Sequence, residues 1–122
     1  MPSSYLIDDG ILRVTYEGQY TTEEEFTTLR KAIDATDSAP GMSLLIDLSR
    51  SSQTDSQRES RSLALVLGGL RRKIGRRCAV VVSDQVQYGI ARMLSAYVEP
   101  YDLTVKVFTD PLQAERWLRQ TE

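Results

Sequence analysis

Three aspartates stand where an α/β chain places its chemistry: Asp47, Asp84 and Asp110 each follow a short apolar run that reads as a strand. Carboxylates converging at the C-terminal ends of such strands could hold a divalent cation through oxygen ligands. Asp84 and Asp110 also precede helical patterns, where an aspartate caps the helix, so capping accounts for them without any metal, and no metal ligand set is assigned. A second constellation is Gly89 with Arg92: the glycine lets a backbone or ligand approach closely, and the guanidinium suits a carboxylate or phosphate. Helix-to-sheet contact and an internal ion pair explain the same two residues. Asp47, Asp84, Gly89 and Arg92 together are therefore the candidate ligand or anion positions.

Other chemistry is narrowed by what the composition lacks. The sequence has no histidine, which removes the commonest general base, the commonest metal ligand and any Ser-His or Cys-His nucleophile system. Its one cysteine, Cys78, lies in an unbroken β-prone run and reads as a small core residue. No glycine-rich phosphate loop, zinc spacing or dinucleotide fingerprint occurs; Gly68-Gly69 lacks the surrounding pattern of either phosphate motif. The expectation is a non-enzyme without catalytic residues or cofactor. Arg71, Arg72, Lys73, Arg76 and Arg77 form a basic cluster that reads as the solvated end of a helix. With 15 Lys and Arg against 17 Asp and Glu, the net charge of −2 gives no attraction to phosphate backbones, and nucleic acid is not an expected partner.

These residues need elements to position them, and the chain supplies a regular series. Tyr5-Leu6-Ile7, the turn signal Asp8-Asp9-Gly10, and Ile11, Leu12, Val14 and Tyr16 predict an opening hairpin. Thr22 with Glu25 makes a capping-box pattern for a first helix to about Ala35, with Phe26, Leu29 and Ile33 on its inner side. Leu44-Leu45-Ile46 is a buried strand. After a polar segment from Arg50 to Ser60, a second helix beginning near Asp55 is predicted from Leu63, Leu67, Leu70 and Ile74, with Gly75 as its C-cap. Cys78 to Val82 makes the central strand. Ser83 or Asp84 caps a third helix whose inner stripe is Val86, Ile90, Met93, Leu94 and Tyr97, ending before Pro100. Leu103, Val105 and Val107 mark a last strand, and Asp110-Pro111 with Gln113 opens a closing helix carrying Leu112, Trp117 and Leu118.

The order β-β-α-β-α-β-α-β-α implies an α/β fold: a mixed, roughly five-stranded sheet with flanking helices, in a single domain over 1–122. At 41% hydrophobic and 26% charged the chain has ordinary globular usage, and a domain of this size buries roughly two-thirds of its unfolded surface. No apolar run approaches the roughly 20 residues that span a bilayer, and no leader pattern precedes Tyr5, so the expected compartment is the cytoplasm.

The segment from Leu44 to Leu70 resembles the STAS domains of anti-sigma factor antagonists. There a strand ending in Asp-Leu-Ser leads into Asp-Ser-Ser-Gly at the start of the next helix. Here Leu45-Ile46-Asp47-Leu48-Ser49 is followed by Thr54-Asp55-Ser56 at the same spacing, with Gln57-Arg58 where the family has Ser-Gly. A divergent SpoIIAA-like, STAS-related branch, similar in topology to the lipid-carrying CRAL-TRIO proteins, is also matched from about Asp9 to Leu118. Its pattern covers Asp9-Gly10-Ile11-Leu12, Ser83-Asp84, Tyr88-Gly89-Ile90-Ala91-Arg92-Met93 and Val107-Phe108-Thr109-Asp110. The resemblance implies a regulatory module that binds another protein, with Ser56 at the position of the phosphorylated serine and Asp55, Arg58 and Arg61 beside it as partner-binding candidates. A capping or loop serine, in a segment that also holds Ser49, Ser51, Ser52, Ser60 and Ser62, explains Ser56 without any phosphate. The CRAL-TRIO likeness implies instead a carrier or sensor of a small apolar ligand lying against Leu63 to Leu70, Met93-Leu94, Tyr97 and Tyr101. A carboxylate-based enzyme is the third reading. A homodimer through a sheet edge or a helix face stays open.

Overall fold

The computed structural model describes residues 3–8, 10–19, 22–35, 42–51 and 57–120. Its elements follow the expected order: β1 (Ser3–Asp8), β2 (Ile11–Gly18), α1 (Thr22–Asp34), β3 (Met42–Ser51), α2 (Gln57–Gly69), β4 (Ile74–Val81), α3 (Gln85–Tyr97), a 3₁₀ turn (Glu99–Tyr101), β5 (Thr104–Phe108) and α4 (Pro111–Arg119). The five strands form one sheet in the order β1-β2-β3-β4-β5. β1 pairs antiparallel with β2 through a turn in which Gly10 takes a left-handed φ of 83°; the other pairs are parallel. Each parallel step moves the same way across the sheet, and crossovers of one hand must then lie on one side of it. The two cores confirm this. Leu29 and Ile33 of α1, Leu63 and Leu67 of α2, and Ala91 and Leu94 of α3 are buried against Leu12, Val14, Leu44, Ile46, Cys78 and Val80. The opposite face, carrying Ile11, Leu45, Ala79, Val81 and Phe108, is covered by Ala114 and Leu118 of α4, with Trp117 beside them; Leu112, expected among the apolar contacts of this helix, is exposed instead, because it lies on the other side from Ala114 and Leu118.

Local chemistry sets several junctions. The Tyr16 hydroxyl donates to the Glu25 carbonyl (2.8 Å), fixing α1 on β2. Asp84 accepts from the Gln87 N–H (2.8 Å) and Asp110 from the Leu112 N–H (2.9 Å), so both are helix N-caps. On the α4 face, Arg13 of β2 pairs with Glu115 of α4. Pro111 occupies the first turn of α4, where its missing N–H costs nothing.

Three further expectations are corrected. α2 ends at Gly69, and Ile74 and Gly75 are the first residues of β4, so Gly75 is not a helix cap. Two consecutive glycines are poor helix formers, and the Ile74 side chain is buried on the strand in any case. β3 runs on through the polar residues to Ser51, because Glu17 and Gly18 of β2 pair with Arg50 and Ser51 beyond a register shift. The inner stripe of α3 is Gln87, Ala91 and Leu94, continued by Val98, whereas Val86 and Met93 face outward. The capping side chain expected of Thr22 lies outside the described residues.

Candidate functional site

The rotation of α3 follows from a polar clamp at the C-terminal end of the sheet. Ser83 donates to Gln87 Oε1 through its N–H (3.0 Å) and its hydroxyl (3.4 Å). Gln87 Nε2 donates to the carbonyls of Leu48 and Ser51, each at 3.3 Å. A buried amide thus satisfies groups on two strand ends at once, and burying it obliges α3 to turn its 87-91-94 side inward. The clamp also fixes the end of β3, from which the chain passes towards α2. Gln87 escapes apolar periodicity because a glutamine reads as a surface residue; its signal is its place three residues after a capping aspartate.

The consequence is an apolar side of α3 only half covered: Val86 and Met93 are exposed, while Ile90 and Tyr97 are half-buried. Val86, Ile90, Met93 and Tyr97 are three or four positions apart and share one side of α3. Val86 is 60% exposed, and Leu65, on the neighbouring α2, is 61% exposed. Between the two helices lies an open groove of about 410 Å³ lined by Arg61, Ala64, Leu65, Tyr97 and Tyr101. The Arg61 guanidinium sits over the Tyr97 ring, 5.3 Å from its centroid, an arrangement that holds a cation at the rim of an apolar surface.

Tyr101 closes the floor of this groove through a close approach that only glycine allows. A Cβ on Gly68 would stand 2.6 Å from the Tyr101 ring, so the ring rests directly on the α2 backbone. The turn carrying Tyr101 ends at Asp102, in left-handed backbone with φ 60°. Arg71 secures it, donating from Nε to the Asp102 carbonyl (3.0 Å), from Nη1 to the Ile74 carbonyl (3.0 Å) and from Nη2 to the Asp102 carboxylate (3.4 Å). Arg76 reaches the same carboxylate at 3.4 Å, and Lys73 pairs with Asp34 at 3.0 Å. Arg77 donates to the carbonyls of Trp117 (2.8 Å) and Gln120 (3.1 Å) and lies over the Trp117 ring. Within the basic cluster read as a solvated helix end, Arg72, Lys73 and Arg76 are indeed exposed, whereas Arg71 ties the Tyr101 turn and Arg77 ties the end of α4.

The other candidates are dispersed. Asp47 accepts from the N–H (2.9 Å) and hydroxyl (2.6 Å) of Ser49, and its pairing with Val81 puts it on the α4 face of the sheet, away from α3. Asp84 caps α3, while Gly89 and Arg92 are exposed on that helix. A Cβ on Gly89 would meet nothing within 4 Å, so no close approach explains that glycine. Cys78 is fully buried, and burial pushes its thiol up to about 12. Asp55 and Ser56 lie outside the described residues, as does the side chain of Arg58; Arg61 alone of that group is placed, at the groove. No described helix is long and apolar enough to cross a membrane.

A family model described as SpoIIAA-like matches residues 11–119. No curated protein matches the chain. Among solved structures, an uncharacterized protein of the DUF3478 family with a SpoIIAA-like fold, from Shewanella loihica PV-4, is 21% identical with a TM-score of 0.65, over 95% of this chain and 93% of that one. An anti-sigma factor antagonist from Mycobacterium paratuberculosis is 20% identical with the same TM-score, over 97% of this chain and 95% of that one. At these identities the likeness concerns the fold, whose mixed five-stranded sheet and four helices it matches.

Proposed function

This chain belongs to the SpoIIAA-like family, and on that premise we propose that it is a non-enzymatic regulatory module that docks another protein on the α2–α3 surface. The observation that carries this reading is the exposure of Val86 and Met93 on α3 and of Leu65 on α2, together with the Arg61-topped groove between these helices. Tyr97 is partly buried against the core, but Val86 and Met93 face solvent without contributing to it, and an interface would cover them. Aromatic and arginine side chains such as Tyr97, Tyr101 and Arg61 are the types that anchor interfaces. The anti-sigma factor antagonist among its structural neighbours supports a protein as the partner, and the compartment that goes with such a role is the cytoplasm.

Ser56 directly precedes the first residue of α2, Gln57. A phosphate there would meet the free N–H groups and the positive end of the helix dipole, an effect of about 0.3–1 kcal/mol on the helix alone. It would also add charge five positions before Arg61, which lines the groove, and so alter docking on the same surface. The test is site-specific photo-crosslinking in extract of the source cell, with the crosslinker at position 65 or, as control, at position 112 of α4. One protein captured only from position 65, and released by Tyr97→Ala, is expected; identical products from both positions would reject the reading. Ser56→Asp is expected to change capture where Ser56→Ala does not.

The groove's volume favours one further reading. About 410 Å³ falls within the range of small-molecule sites, so an apolar ligand bound between α2 and α3 is the alternative. Native mass spectrometry of protein from its own source distinguishes the two: a retained small mass lost in Tyr97→Ala supports the ligand, and a bare chain opposes it.

A further inference from the structure

The two edges of the sheet are guarded differently. Edge strands expose unpaired N–H and C=O groups, and proteins that stay apart protect them with lysine, proline, bulges or covering elements. β5 is five residues long and carries exposed Lys106 at its centre, the ammonium lying 5.6 Å from the Phe108 ring centroid and 6.0 Å from that of Trp117. Among the described residues β1 has none of these devices. Its sequence is Ser-Ser-Tyr-Leu-Ile-Asp, its six pairs with β2 run without a register shift, and nothing among the described residues pairs with its outer side. Tyr5, Leu6 and Ile7 are 45%, 59% and 44% exposed. They point to both faces: Tyr5 and Ile7 pair with Val14 and Leu12 on the helix face, and Leu6 with Arg13 on the α4 face.

We infer that β1 joins two copies of this chain, antiparallel about a two-fold axis normal to the sheet, into one continuous sheet. The occupant is a second copy because the strand is complementary to itself in one register. Residues opposed across antiparallel strands point to the same face, so the axis must pass through a residue position. Centred on Leu6, Leu6 of each copy meets Leu6 of the other, Tyr5 meets Ile7 on the helix face twice, and Ser4 meets Asp8. Every apolar position then faces an apolar one, including two aromatic with β-branched pairs. Centring on Tyr5 sets Leu6 against Ser4, and centring on Ile7 sets Leu6 against Asp8; both expose apolar groups to polar ones. The contact is smaller than a standard interface of about 800 Å² per partner, so micromolar association is expected.

The test is sedimentation equilibrium of the whole chain from about 1 µM to about 500 µM. A reversible monomer–dimer equilibrium is expected. Leu6→Lys puts two like charges directly opposite one another at the axis and should raise the dissociation constant about 100-fold, while Leu112→Lys, at an equally exposed leucine of α4, should leave it unchanged. A monomer across the whole range overturns the inference, as does a dimer that Leu6→Lys leaves intact or that Leu65→Lys dissolves instead. Hydrogen exchange of the unmodified chain gives a second reading free of any folding defect. Amides of β1 should gain protection with concentration while those of β5 do not; protection independent of concentration overturns the inference. This result is separate from the regulatory reading, which concerns the opposite end of the helix layer.

Discussion

The two faces of the sheet bury the same kind of strand residue and solve the problem differently. The α4 face is closed by a single helix: Ala114 sits fully buried, Leu118 nearly so, and Trp117 is fixed between Phe108 (5.8 Å between ring centroids) and Arg77. One helix has one side to give, and α4 gives it entirely. The other face is shared by three helices, so each also has flanks that meet a neighbour. At the junction of α2 and α3 those flanks remain apolar and partly open to solvent, with Arg61 and two tyrosines around them. The difference is one of extent: among the described residues α4 leaves Leu112 exposed, whereas α2 and α3 together leave Leu65, Val86, Tyr88 and Met93.

The largest effect that sharpens this contrast is in the shared core. Leu67→Ala removes a fully buried side chain between α2 and the sheet and should cost about 3–5 kcal/mol. Leu118→Ala, on the single-helix face and still slightly exposed, should cost about 2–3 kcal/mol; both are read from urea denaturation, and equal losses would erase the distinction.

Gln87→Leu keeps the volume but strips hydrogen bonds from the Ser83 N–H and the Leu48 and Ser51 carbonyls. A loss of about 1–3 kcal/mol is expected, with faster exchange at the end of β3. If the variant is as stable as the parent, the clamp does not set the rotation of α3. Gly68→Ala should cost about 1–3 kcal/mol by forcing Tyr101 off α2, and the Tyr101 ring resonances should shift in an NMR spectrum; unshifted rings would mean the groove floor does not depend on that approach.

The smallest effects test what is exposed or inert. Leu65→Ala should change stability by less than about 0.5 kcal/mol while weakening capture of the docking partner, separating folding from binding at one residue. Cys78 should not react with a thiol reagent in the folded chain and should react fully in denaturant. Its thiol, raised in the folded state to about 12 from 9.0, adds no pH dependence below about pH 8. Above pH 9.0 the unfolded chain loses this proton while the folded chain retains it, so stability should fall with pH; flat stability there would show the thiol to be accessible.

The sequence determined the things that depend on neighbours in the chain. Asp84 and Asp110 were legible as caps, because a cap needs only a side-chain oxygen within two or three residues of the N–H groups it serves. Alternation in β2 and β5 and the spacing of Leu29 and Ile33 fixed the type and order of the elements, and hence the α/β fold. The candidate site was legible in part: the resemblance implied an apolar surface over Leu63 to Leu70, Tyr97 and Tyr101, and the groove lies there, but Arg61 was named as a neighbour of Ser56 and not as its rim. Only the tertiary structure decided which side of α3 faces inward, since apolar spacing there allowed two adjacent stripes and the choice fell to Gln87, whose partners are 36 and 39 positions away. It likewise carried β3 through polar residues, because strand pairing with β2 satisfies backbone groups that no local pattern reveals. The partners of Arg71 and Arg77 are equally remote, at 31 and 40 positions, so a run of positive charge could be counted from the sequence while the carbonyls and carboxylates that bind it became visible only once the chain had folded.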